Sequence, residues 1–167
     1  MQDTAAPPEE TLICPACQIF DVESVRIALD TAAGEIGRDA MALRKAAVGI
    51  LSEAQKRGRA AIAEALGAHP FSAIAATRSY SWLADCIILA TLDLATRHMH
   101  PLPTPTDSER IAVLAVGGSG RGEMAPQSDV DLLFLTPYKI TPWAESVIES
   151  MLYILWDLRL KVGHFRW

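Results

Sequence analysis

Cysteine is nearly absent from this chain: three in 167 residues, an odd count. That number does not staple a small secreted fold, and it points to a reducing compartment, so a cytoplasmic location is expected. Basic charge is also short, since 15 Lys and Arg face 20 Asp and Glu and leave a net charge of -5. A chain of that sign has no broad field for a phosphate polymer, which excludes a nucleic acid polymer as the expected partner. Any phosphate must therefore be held locally. Long hydrophobic runs are missing too. The most apolar window, Cys86 to Ala90, lies between Asp85 and Asp93, far below the roughly 20 apolar residues of a membrane span. The first ten residues carry acids and prolines instead of a basic stretch and an apolar run, so no signal peptide is read there. There are no internal repeats.

What is present is core-forming material. Half of the residues are hydrophobic and 21% are charged, so the chain is expected to fold. Residues 1–17 contain Pro7, Pro8 and Pro15 and show no period, which suggests a loose leader. Residues 21–98 hold only scattered Gly and one proline, Pro70. Within them Leu43, Ala46, Ala47, Ile50, Leu51 and Ala54 follow the spacing of one buried helix stripe, ended near Gly67. A second long helix is expected over 72–98, with Ile74, Leu83, Ile87, Ala90 and Leu94 inward. Pro101, Pro103 and Pro105 interrupt any helix. Residues 111–116 then read as a buried strand, 117–128 as a glycine loop and 129–135 as a second strand. A final helix starts at Thr141 and Pro142. The expected class is α/β (α+β), divided into a flexible leader (1–20), a helical subdomain (21–100), a linker (101–109) and a sheet-bearing segment (110–167).

Chemistry concentrates in that last segment. Strand alternation places Asp129 and Asp131 on one face, roughly 6.5–7 Å apart along the backbone. Two such carboxylates repel each other unless a cation lies between them, and Mg²⁺ takes carboxylate oxygens together with substrate phosphates. Immediately upstream, Gly117, Gly118, Gly120 and Gly122 let backbone amides approach a polyphosphate unobstructed. Ser119 adds a hydroxyl and Arg121 a bidentate cation. Taken one at a time, a glycine hairpin and two acids on an edge strand are ordinary features; their direct succession favours a site. A Walker loop is ruled out because Glu123, not Lys, follows the last glycine. A dinucleotide fingerprint is ruled out because Pro126 and a strand follow where a helix is needed.

Gly118-Ser119, nine intervening residues, then Asp129-Val-Asp131 resembles the signature of the polymerase-β-like nucleotidyltransferase superfamily. The runs Val116-Gly-Gly-Ser-Gly-Arg-Gly-Glu123, Ser128-Asp-Val-Asp-Leu-Leu-Phe-Leu135 and Trp156-Asp-Leu-Arg-Leu-Lys-Val-Gly-His164 are similar to one family in it. That family is the bifunctional PII uridylyltransferase/uridylyl-removing enzymes, in their N-terminal catalytic region. The resemblance covers roughly residues 43–164. It implies a small mixed sheet of the nucleotidyltransferase fold behind a helical subdomain, with 110–167 a partial domain incomplete at its C-terminal end. It also implies transfer of UMP from UTP to a tyrosine of the PII signalling protein, with Mg²⁺ as cofactor. Asp129 and Asp131 would be the catalytic metal ligands, and Gly117, Gly118, Ser119, Gly120 and Arg121 the nucleotide-binding residues. Glutamine-synthetase adenylyltransferases have a similar loop and are the alternative within the superfamily. A non-catalytic nucleotide-binding or interaction fragment is the alternative outside it.

The family takes a third carboxylate from a later strand. After Asp131 this chain offers only Glu145, Glu149 and Asp157 on the expected last helix, so weak turnover is expected. Cys14 and Cys17 have the spacing of half a zinc site but read as free thiols. Trp82, Trp143 and Trp156 read as core.

Overall fold

A computed structural model describes residues 11–104 and 106–166. Residues 1–10, most of the expected leader, and Pro105 of the linker lie outside them. The chain runs through a single turn α1 (Ala16–Ile19) and the helices α2 (Val22–Ile36), α3 (Ala40–Ala68) and α4 (Ala73–Leu94). A π-helical turn (Ala95–Met99) follows. Then come β1 (Ala112–Val116), a short turn α5 (Gly117–Gly120), β2 (Val130–Leu135), α6 (Pro142–Asp157) and β3 (Val162–Arg166).

Local chemistry explains the helix starts. The Asp21 carboxylate accepts from the Ser24 amide at α2, and Asp39 accepts from the amides of Met41 and Ala42 at α3. Thr141 caps α6 through the Ala144 amide, with Pro142 at the first helical position. Gly37, at φ 72°, ends α2.

The structure departs from the sequence reading in several places, and β1, expected as a buried strand, has no fully buried residue. Three long helices, not two, precede the sheet, because α2 is a separate element ahead of α3. The leader is packed where it is described: Leu12, Ile19 and Phe20 are buried, and the Ile13 amide donates to Ser79 Oγ at 3.0 Å. Burying those three apolar side chains contributes about 1.5–3 kcal/mol each and offsets part of the entropy lost in ordering the segment. Ile74, expected inward, is 71% exposed in the first turn of α4. Trp156 is 46% exposed at the end of α6, where its ring meets those of Tyr153 and His164 edge-on.

The fold class is α/β with a three-stranded mixed sheet in the order β1-β2-β3. β1 and β2 are antiparallel, with Val116 opposite Asp131. β2 and β3 are parallel, with Asp131 opposite Gly163, and α6 makes the crossover that a parallel pair requires. Val130, Leu132 and Phe134 face the core, which they share with Val147, Met151 and Leu155 of α6 and with Leu83 and Ile87 of α4. Alternation puts Asp131, Leu133 and Leu135 on the opposite face. That face is open, with Leu114 and Phe165, the register partners of Leu133, 41% and 62% exposed. Asp131 stands at its end, beside the glycine turn.

Candidate functional site

β1 delivers the chain into α5 at Gly117, whose φ of 65° is left-handed and so suits glycine. The turn closes through Arg121 N to Gly117 O, Gly122 N to Ser119 O and Glu123 N to Gly118 O. It is held close against β1: a Cβ on Gly120 would run into the carbonyl of Ala115. The first amides of such a turn have no carbonyl partner within it.

Ser119 is buried at 7% exposure, and its hydroxyl makes no hydrogen bond among the described residues. A buried hydroxyl without a partner costs about 1–3 kcal/mol, and inside this turn the Ser119 hydroxyl can meet a ligand atom or a water molecule. Asp131 lies directly alongside, its Oδ2 3.2 Å from where a Cβ on Gly117 would stand. Thus Gly117, Ser119 and Asp131 form one small neighbourhood.

Asp129 is placed differently from the expectation that it opens the strand. β2 begins at Val130, and Asp129 stands just before it with a side chain 64% exposed. The Lys161 ammonium lies 3.8 Å from its Oδ1. An exposed pair of this kind contributes little to stability and leaves the carboxylate available. Arg121 is also exposed, and its Nε donates to Glu123 Oε2 at 3.3 Å, so it points along the loop.

Among the described residues no three His, Cys, Asp or Glu side chains gather closely enough to hold a metal ion. Glu145 and Glu149 are exposed on α6, and Asp157 is paired with Arg44 at 2.7 Å. Two carboxylates nevertheless match what Mg²⁺ asks of a protein, because it usually completes its shell with phosphate oxygens and water. Cys14, Cys17 and Cys86 are free thiols, with the Cys14 thiol pushed up by partial burial and by neighbouring Cys17.

Three contributors escape a reading of the sequence. Arg59 of α3 donates to the Pro126 carbonyl at 2.6 Å, and the Met124 amide donates to Ser81 Oγ at 3.1 Å. Both contacts fasten the outer half of the loop to helices 67 and 43 residues away, and nothing in the local pattern announces them. The third is Gly163, opposite Asp131, whose one signal is a glycine inside a strand.

The family model for glutamate-ammonia ligase adenylyltransferase matches residues 15–155. A bifunctional uridylyltransferase/uridylyl-removing enzyme from Ruegeria pomeroyi is 62% identical over 146 residues, 87% of this chain and 16% of the relative. Its namesake from Cereibacter sphaeroides is 53% identical over 156 residues, 92% of this chain and 17% of that protein. The one from Caulobacter vibrioides is 48% identical over 147 residues, 87% of this chain and 15% of that protein. The chain thus spans about one sixth of the length of these curated relatives. No solved structure matches it. With the family model covering most of its length, the chain belongs to the glutamate-ammonia ligase adenylyltransferase family of nucleotidyltransferases, and within it is similar to the N-terminal part of bifunctional uridylyltransferase/uridylyl-removing enzymes.

Proposed function

We propose that this chain carries the nucleotide and metal site of a uridylyltransferase, one that passes UMP from UTP to a tyrosine of the PII signalling protein with release of pyrophosphate. The observation that carries the reading is the buried, unpartnered Ser119 hydroxyl in a glycine turn that abuts Asp131. The amides of Gly117, Gly118 and Gly120 and the Ser119 hydroxyl would hold the triphosphate, with Arg121 swinging from Glu123 to a phosphate oxygen. Asp129 and Asp131 would hold Mg²⁺. Bound there, the metal would supply Lewis-acid stabilisation of the charge that develops on the leaving pyrophosphate. The names of the relatives support uridylyl over adenylyl transfer, and a cytoplasmic location accords with the chain's composition. Among the described residues no helix is long and apolar enough to cross a membrane.

Turnover by the 167-residue chain is expected to be weak, since no third carboxylate joins the pair among the described residues. That same observation favours a second reading, a nucleotide-binding fragment without chemistry. The test is UTP and ATP binding by calorimetry, with and without Mg²⁺, in wild type and in the double variant Asp129→Asn, Asp131→Asn. The reading expects Mg²⁺-dependent binding, tighter for UTP, that the double variant loses. Equal binding by both proteins with and without metal overturns it, and tighter ATP binding transfers the assignment to adenylyl transfer.

A further inference from the structure

Asp131 is bracketed by two glycines, Gly117 at the start of α5 just past the end of β1 and Gly163 on β3. On the β1 side, the missing Cβ of Gly117 leaves room 3.2 Å from Oδ2. On the β3 side, a Cβ on Gly163, the register partner of Asp131, would overlap Oδ1 and stand 3.6 Å from Cγ. The carboxylate therefore lies over the neighbouring strand, in space that exists because residue 163 has no side chain. Among the described residues, chain neighbours aside, only the Asp131 side chain falls within 4 Å of that missing Cβ.

From this geometry we infer that Gly163 is a positioning residue for the metal-binding carboxylate, setting the direction in which Asp131 presents its oxygens. The inference rests on the proposed role of Asp131. A Cβ at 163 collides with the tip of a side chain that is free to rotate, not with backbone, so the collision is relieved by swinging the carboxylate and leaves the sheet intact. Gly163 also lacks the left-handed φ that makes Gly117 intolerant of any side chain. Substitution at 163 thus acts on one carboxylate, whereas substitution at 117 also strains the turn.

The test is Gly163→Ala in the 167-residue chain, measuring Mn²⁺ and Mg²⁺ affinity in the presence of UTP, UTP affinity at saturating Mg²⁺, and the melting temperature. Residues that orient a ligand typically alter metal affinity by about 10–100-fold. The expected result is metal affinity weakened about tenfold, with UTP affinity at saturating Mg²⁺ and melting temperature unchanged. Wild-type metal affinity in Gly163→Ala, with affinity lost in Asp131→Asn, overturns the inference while leaving the proposed function standing. Wild-type affinity in both overturns the two together. If Gly163→Ala melts early, the same substitution in an Asp131→Ala background decides the matter, because the colliding atoms are then gone. Recovered stability supports the inference; continued instability overturns it.

Discussion

The backbone amide of Met124 donates to the hydroxyl of Ser81, and both residues are buried. This bond fixes the descending half of the glycine loop to α4, while Arg59 holds Pro126 from α3. The helices ahead of the sheet therefore set where the loop lies over β2.

Replacing Ser81 with Ala leaves the Met124 amide buried and unpaired. The expected loss is about 1–3 kcal/mol in denaturant unfolding, accompanied by faster hydrogen exchange across residues 122–128. An exchange pattern identical to wild type would show that the loop needs no anchor on α4.

Ser119→Ala is expected to behave in the opposite way. Its hydroxyl has no partner among the described residues, so removal does not lower the melting temperature. If that hydroxyl meets a phosphate, UTP affinity drops about tenfold or more, since a bond to a charged group contributes about 1.5–3 kcal/mol. Calorimetry beside a thermal melt separates the two quantities; reduced stability with unchanged affinity would give the residue a packing role.

Gly120→Ala places a methyl group against the Ala115 carbonyl, a backbone atom with no freedom to turn aside. The strand or the turn must shift, at an expected cost of about 1–3 kcal/mol. Thermal unfolding of this variant beside Gly163→Ala contrasts a collision with backbone and one with a side-chain tip.

Asp85 gives the chain a pH dependence. Burial alone pushes its carboxyl up from 3.8 to about 6, which favours the neutral form in the folded state. A raised acid contributes stability that is fully present below the unfolded value and is lost as pH rises through the folded one. Stability is therefore expected to decline between about pH 4 and pH 6, by up to about 3 kcal/mol from this group. Asp85→Asn should raise the melting temperature at pH 8 and remove that decline. A wild-type pH profile in the variant would place the effect elsewhere. The adjacent Cys86 thiol, pushed up to about 12 first by burial and then by Asp85, should react slowly with thiol reagents at pH 8.

Much of this protein was already decided by its sequence. The three-four spacing of Leu43, Ala47, Leu51 and Ala54 makes α3, and those four residues are buried as the spacing requires. The apolar runs before and after the glycine loop make β1 and β2, and Thr141-Pro142 starts α6. These features are local: backbone preference and side-chain period act within a few residues, so they are written in order along the chain. The tertiary structure alone decided that Ser119 is buried without a partner among the described residues, that Ser81 and Arg59 hold the loop, and that Gly163 lies beneath the Asp131 carboxylate. It also packed Leu12 and Phe20 where prolines suggested a loose leader, and left Ile74 and Trp156 in solvent. Each of those outcomes depends on which distant surface arrives beside a residue, and burial, collision and hydrogen bonding at that range are set by how the helices and strands pack.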